Sequence, residues 1–474
     1  MALNIDELLE NAQKAAAEFK RLDQDQTDNI VRNVYETGFD NRVKLAKLAI
    51  EETKLGVLRD KVIKNVIATR FVYEDIISLK TVGVLNESAE NGVVEIAQPI
   101  GPIVAITPIT NPTSTVMFKI LISMKSRNPI IIRPHGSARR CSVEAARICY
   151  ESALKAGAPE HCIQWVKMST KEETLDLMSH RKTALILATG SVELVRAAYK
   201  SGNPALGVGP GNVPVYIGKS ADVPFSVEQI VLSKTFDNGT VCASEQSVVS
   251  NIYNVDRVIE EFKKHKAYFL KEDEISRLED VAFNRESWVM KPEVIGQPAA
   301  RIAEMAKINV PEGTTLLVAR LSEDDFDRPV AHEILAPILA FYVARNFKHG
   351  IELCRRINVN GGLGHTASIF SQDEEKIQYF AEVMNAGRIL VNTPASHGAL
   401  GGTYNSLKPS FTLACGSGGK NMTTDNITAK HLINIQRIAR RNVHHCFGNL
   451  SENDYLDQSF DSRAIEKKCN HSAS

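Results

Sequence analysis

The sequence predicts an α/β protein in which doubly wound parallel sheets occupy two successive regions. Short β-rich apolar runs stand at 128–134 (NPIIIRP), 183–190 (TALILATG) and 213–219 (VPVYIGK), with helical patterns between them. A second alternating segment, from 245 to about 400, carries SVVSNIY (247–253), TTLLVAR (314–320) and ILAFYVA (338–344) with helices of its own. Strands at this spacing with crossover helices imply parallel sheets with right-handed connections.

Taken in order, residues 1 to about 80 read as helices. In the first, Ile5, Leu8, Leu9, Ala12, Ala16 and Phe19 share one face that docks on its own domain, and Asn4 is placed to cap it. GVVEIAQPIGPIVAITPITNP (92–112) holds two β-rich runs joined at Pro99 to Pro102. The strand in NPIIIRP feeds a long helix through SARRCSVEAARICYESALKAG that ends at Gly157. TALILATG feeds the helix of SVELVRAAYKSG, and Gly190 opens it, so backbone N–H groups there are placed to face a phosphate. VPVYIGK reads as a third strand of the same sheet. The turn before it, GVGPG (207–211), has the Gly-x-Gly-x-Gly pattern but precedes a strand, so it reads as a tight, close-packed turn. Residues 445–474 are polar, weakly patterned and expected as a loose tail.

Composition removes several function classes. With 474 residues there is too much chain for one ordinary core. Lys plus Arg equals Asp plus Glu at 56 each, which argues against nucleic acid or an anionic membrane as the main partner. The basic run Lys263-Lys264-His265-Lys266 reads as a solvated helix face. No stretch reaches the roughly 18–20 apolar residues of a membrane span, and the amino-terminal stretch lacks the apolar core of a signal peptide. Eight cysteines without CxxC spacing suggest neither a zinc site nor a disulfide framework. His444-His445-Cys446 are adjacent, and adjacent residues rarely converge on one metal ion. The expected compartment is the cytoplasm.

One cysteine has chemically suggestive neighbours. In FDNGTVCASEQS (236–247), Cys242 follows a glycine-bearing turn and precedes small polar residues, as a packing residue or as a nucleophile. The segment resembles the nucleophile region of CoA-acylating aldehyde dehydrogenases, above all the aldehyde dehydrogenase half of bifunctional aldehyde–alcohol dehydrogenases. The likeness runs from about 5 to about 440, through KVIKN (61–65), ITPITNPTST (106–115), LILATG, GVGPGNVPV, AHEILAP (331–337), GLGHTA (363–368), RILVNTPAS (388–396) and KHLIN (430–434). Because the chain ends soon after KHLIN, the iron-dependent alcohol dehydrogenase half is expected to be absent.

The resemblance implies an aldehyde-dehydrogenase-like fold: a nicotinamide-binding domain over 1–236, with a small β oligomerisation extension near 88–100, and a catalytic domain over 237–410. Residues 411–444 would return to the cofactor domain and join the oligomerisation segment, ahead of the flexible tail. It further implies NAD or NADP as cofactor, coenzyme A as co-substrate, and a homodimer or higher homo-oligomer. Cys242 matches the nucleophile that attacks the aldehyde, yields hydride and passes the acyl group to the CoA thiol. Its backbone N–H matches one oxyanion donor, and Thr110 or Asn111 the other. Glu333 matches the residue on the nicotinamide ribose, Arg133 the one at the adenosine ribose, and Ser191 beside Gly190 a pyrophosphate contact. Arg139 and Arg140 cluster near that ribose and tilt the choice towards accepting NADP.

At Val208 the pattern departs from hydrolytic relatives, which carry a glutamate there to activate water. A valine cannot serve as base, so the thioester waits for a thiol; the alternative is a hydrolytic enzyme making the free acid. His365 in GLGHTA is a candidate base for that thiol, or a structural histidine. In NTPASHGALGGTYN (392–405), expected to line the substrate tunnel, His397 stands where an amide is expected, and no acid stands near Gly402. A cation there would favour an anionic aldehyde such as sulfoacetaldehyde over acetaldehyde; a neutral histidine would only pack the wall.

Overall fold

The computed structural model describes residues 3–88 and 92–470, in two units: Met1–Leu79 with Pro99–Ile433, and Lys80–Gln98 with Asn434–Ser474. In the smaller unit β1 (Gly83–Ser88) pairs antiparallel with β2 (Val93–Pro99), and the last strand, β15 (Ile433–Ala439), bonds to the other side of β2. Residues 89–91, within the range 88–100 where a β extension is expected, lie outside the described residues. The expected patternless tail is instead three short helices, His445–Asn449, Glu452–Leu456 and Ser462–Asn470, with a disulfide between Cys446 and Cys469. Helices of five to nine residues are too short to print a periodic apolar stripe on the sequence. Residues 471–474 of the tail lie outside the described residues. Among the described residues no group of His, Cys, Asp or Glu could hold a metal, and no helix is long and apolar enough to cross a membrane.

The larger unit opens with helices α1 (Ile5–Phe19), α2 (Gln24–Asp40), α3 (Arg42–Thr53) and α4 (Leu58–Val66), and then a π-helical turn over Ile67–Phe71 into α5 (Val72–Ile76). Asn4 caps α1 as expected, its Oδ1 accepting from the Glu7 N–H at 3.2 Å. A five-stranded sheet follows: β3 (Ile103–Ile106), β4 (Ile130–Arg133), β5 (Ile163–Trp165), β6 (Leu185–Thr189) and β7 (Ala205–Val208), in the order β5-β4-β3-β6-β7 and parallel throughout. Helices α6 (Pro112–Lys125), α7 (Arg139–Lys155), α8 (Lys171–Ser179) and α9 (Val192–Lys200) make the crossovers. The winding reverses between β3 and β6, so the crevice beyond their carboxyl ends is where such a sheet takes a ligand. Every residue of α6 (PTSTVMFKILISMK) is buried, its two lysines included.

The second sheet holds β8 (Val213–Ile217), β9 (Glu245–Asn251), β10 (Ala267–Phe269), β11 (Leu316–Arg320), β12 (Ile338–Ala344), β13 (Gly364–Phe370) and β14 (Ala386–Val391). Its order is β10-β11-β12-β9-β8-β13-β14, again parallel. The strand in VPVYIGK therefore belongs here and not, as expected, with NPIIIRP and TALILATG. Only residues 209–212 separate β7 from β8, whereas neighbouring parallel strands need a crossover of about a dozen residues. The chain changes sheet at this turn, ahead of the expected boundary at 236. Helix α10 (Val223–Thr235) then leads to Cys242, three residues before β9.

Candidate active site

The residues before Cys242 form a strained turn. Asp237 and Asn238 adopt left-handed φ values of 51° and 53°, and Gly239 follows at 73°. A Cβ on Gly239 would stand 2.6 Å from the Ala336 carbonyl, so the position needs glycine. The turn is held by the fully buried Asp237. Its Oδ1 accepts from the Val57 N–H at 2.7 Å. Its Oδ2 accepts from Lys61 Nζ at 2.9 Å, Lys64 Nζ at 2.5 Å and Thr240 Oγ1 at 2.7 Å. Burial alone would raise the Asp237 carboxyl, but the two lysines override it and hold it below the usual carboxylate range. Four charge-assisted or buried bonds thus fix a backbone that is unfavourable by itself.

The same lysines fasten the 108–112 turn to the nucleophile segment. Lys61 Nζ donates to the Thr110 carbonyl at 3.1 Å, and Lys64 Nζ to Asn111 Oδ1 at 2.6 Å. Asn111 Nδ2 donates to Thr110 Oγ1 at 3.2 Å. Pro112 then starts α6, whose N-terminal side carries the turn.

The turn between the sheets closes on Cys242 from a third direction. A Cβ on Gly211 would stand 2.3 Å from the Cys242 carbonyl oxygen and 3.4 Å from His365 Cγ, and the Gly211 N–H donates to Glu333 Oε1 at 2.8 Å. GVGPG is the close-packed turn its glycines suggest, and it gathers Cys242, His365 and Glu333 around one backbone. Burial pushes the Cys242 thiol up to about 12, with the charge of Glu333 next, while Arg388 pulls the other way. Burial likewise lifts Glu333 to about 7. His365 is fully buried, and burial first and Arg388 second push it down to about 3, so it is neutral. Its Nδ1 lies 3.0 Å from Thr366 Oγ1, and its Nε2 has no hydrogen-bond partner among the described residues.

Val208 packs with Val213, Phe236, Val241 and Ala243, a hydrocarbon cluster against the nucleophile segment. His397 stands against two rings. It is buried, its ring lies 4.3 Å from that of Phe236 and 5.3 Å from that of Tyr404, and burial pushes it down to about 4. At neutral pH it is an uncharged aromatic wall, because enclosure between rings disfavours the cation.

Arg133, Gly190 and Ser191 stand on the five-stranded sheet. Arg133 Nε donates to Ser169 Oγ at 3.3 Å and Thr174 Oγ1 at 3.2 Å. Ser191 caps α9, accepting from the Leu194 N–H at 3.4 Å, and a Cβ on Gly190 would stand 2.7 Å from Leu194 Cδ2. Beyond β4 and β5, Arg139, Arg140, Val143, Glu144, Lys167 and Met168 line a cavity of about 460 Å³. Three of those six side chains are cations, and the one acid, Glu144, is already paired with Lys44 at 2.9 Å and Arg147 at 2.8 Å. The donor set fits a phosphorylated nucleotide.

Sequence reasoning missed the buried charges. Lys61 and Lys64 were visible only as part of KVIKN, although lysines three apart on a helix share a face. Arg388 donates to the carbonyls of His365 at 2.7 Å and Ala414 at 2.9 Å, and its signal was an arginine opening the apolar run RILV. Lys119, between Phe118 and Ile120 in the fully buried helix α6, donates to the carbonyls of Ile106 at 2.7 Å and Leu187 at 2.8 Å.

Comparison with known proteins agrees with this geometry. The profile of the aldehyde dehydrogenase family matches residues 2–282. The bifunctional aldehyde-alcohol dehydrogenase of Escherichia coli (strain K12) is 43% identical over 438 residues, covering 92% of this chain and 49% of its own length. The chain thus spans about half the length of the first curated relatives it matches. A succinate-semialdehyde dehydrogenase (acetylating) of Clostridium kluyveri is 35% identical over 92% of this chain and 95% of its own. The crystal structure of an acetylating aldehyde dehydrogenase from Geobacillus thermoglucosidasius superposes with a TM-score of 0.90 at 43% identity, covering 93% of this chain and 96% of that one. With the family profile matching more than half of its residues and a relative 35% identical over 95% of that protein's length, the chain belongs to the aldehyde dehydrogenase family.

Proposed function

We propose that the protein is a CoA-acylating aldehyde dehydrogenase, converting a short aldehyde, CoA and NAD or NADP to an acyl-CoA. The observation that carries this reading is Val208: the wall beside the nucleophile segment is hydrocarbon where hydrolytic members carry a water-activating glutamate. The acetylating relatives at 43% and 35% identity support it. Cys242 attacks the aldehyde carbon, and its own N–H with the 110–111 turn receives the oxyanion. The nicotinamide, when bound, supplies the hydride acceptor. Glu333 is read as holding its ribose, and Arg133, Gly190, Ser191 and the cationic cavity as holding the adenosine end, which suits a cofactor with an extra phosphate. The thioester carbon is then attacked by the CoA thiol, and the Cys242 sulfur leaves. His365 accepts a hydrogen bond from the incoming thiol through its open Nε2, and the thiol proton passes to the departing Cys242 thiolate.

Without CoA, the enzyme is expected to reduce about one cofactor per site and then stop, its acyl group parked on Cys242. Mass spectrometry of the quenched protein checks the adduct. Sustained acid formation without CoA would instead establish the hydrolytic reading.

With His397 uncharged, the aldehyde best supported is acetaldehyde. The expected result is a higher kcat/KM for acetaldehyde than for sulfoacetaldehyde, in the parent and in His397→Gln alike. A preference for sulfoacetaldehyde that disappears in His397→Gln would restore a charged imidazole. By family resemblance we also infer a cytoplasmic homodimer or larger homo-oligomer, supported by β15 lying at the edge of its sheet; sedimentation at graded concentrations tests the assembly.

A further inference from the structure

Thr110 and Asn111 compete as oxyanion donor in the sequence, and the buried lysines separate them. The Asn111 amide has one acceptor and one NH2 group. Lys64 Nζ occupies the acceptor, Oδ1, at 2.6 Å. The NH2 group is therefore turned away from the lysine, and only one of its hydrogens is engaged, by Thr110 Oγ1 at 3.2 Å. That bond also makes the Thr110 hydroxyl oxygen an acceptor, while the Thr110 carbonyl accepts from Lys61 at 3.1 Å. A cation on an amide oxygen draws electrons from the nitrogen and strengthens its N–H groups as donors.

We propose that Lys64 is a positioning residue for the reaction: its ammonium fixes and polarises the Asn111 amide so that Nδ2–H is the side-chain oxyanion donor. The proposal rests on the dehydrogenase reading of Cys242. Lys64 is suited to this because it reaches both halves of the site, donating also to Asp237 Oδ2 at 2.5 Å and Thr240 Oγ1 at 2.9 Å beside the nucleophile. Its side chain is 1% exposed, so water does not dilute its charge. Lys61 shares Asp237 but has no bond to Asn111, which makes it the internal control.

The test is a double-mutant cycle on first-turnover hydride transfer without CoA, so its outcome is independent of the acyl acceptor. Asn111→Ala is expected to slow that step by roughly 10²- to 10³-fold with the aldehyde KM little changed. Lys64→Met is expected to slow it by roughly 10- to 10²-fold, and Lys64→Met combined with Asn111→Ala to be no slower than Asn111→Ala alone. Lys61→Met combined with Asn111→Ala should instead multiply the two losses. Multiplied losses for Lys64 as well would make it a structural support only and overturn the proposal. Where Lys64→Met does not yield folded protein, Lys64→Gln, which keeps a donor without charge, is read in the same cycle. Asn111→Asp gives an independent arm, since it retains a partner for Lys64 but removes the NH2 group; a rate within about threefold of the parent would refute the donor assignment. Loss of acyl-CoA formation in the parent itself would count against the functional reading and leave the hydride-transfer cycle interpretable.

Discussion

Cys242→Ala is expected to abolish aldehyde oxidation, by at least about 10⁴-fold, while nicotinamide binding measured by fluorescence quenching is retained. No other thiol can substitute. Cys141, Cys149, Cys162, Cys354 and Cys415 are all buried, so no aldehyde reaches them. Cys242 is the one free cysteine only partly covered, and it alone sits against the Gly211 turn with Glu333 and His365. Arg133, Gly190 and Ser191, proposed to hold the cofactor, stand on the five-stranded sheet, so removal of one sulfur leaves them in place. A variant that still turned over would mean that the thioester mechanism is wrong for this chain. A variant that lost cofactor binding as well would point to misfolding and call for Cys242→Ser.

The strands that carry the fold were legible because they are continuous apolar runs with turn residues at their ends; ILAFYVA is the strand Ile338–Ala344 residue for residue. What the runs could not say was which sheet they join. VPVYIGK looks the same in either sheet, and only the shortness of the link behind it, four residues at 209–212, forbids the first. Cys242, Glu333, His365 and the 110–111 turn were legible through motifs, and the fold brings the first three around Gly211. Their electrostatics were not legible, because a side chain's ionisation depends on neighbours distant in sequence. His397 reads as a cation or a neutral wall residue, and burial against Phe236 and Tyr404 favours the neutral form. Conversely, Lys61 and Lys64 are visible in the sequence only within KVIKN, and their shared partner Asp237 lies more than 170 positions away.

That carboxylate sets the second large effect. Asp237→Ala should destabilise the protein by about 3–5 kcal/mol at pH 7, read from urea unfolding, because it strands two buried ammonium groups that now repel each other. The side chains of Lys61 and Lys64 are only 3% and 1% exposed, so water cannot replace the lost partner. The pH dependence carries the sign of the interaction. In the parent, Asp237 is held below its ordinary 3.8, so its contribution is present above that value and is lost as pH falls through the lower folded value. The gap between parent and variant should therefore narrow in acid. On the alkaline side Lys64 governs. Burial lowers it from 10.5 to about 8 in the parent, even with Asp237 pulling it up, and removing Asp237 lowers it further. Between its folded value and 10.5 the unfolded chain binds more protons than the folded one, so stability rises with pH across that window. The window starts lower in Asp237→Ala, and the variant should recover more stability than the parent between neutral pH and about 10. A deficit under about 1 kcal/mol at pH 7, unchanged from acid to alkali, would mean that the lysines are neutral in the folded protein and that Asp237 is not what holds the nucleophile turn.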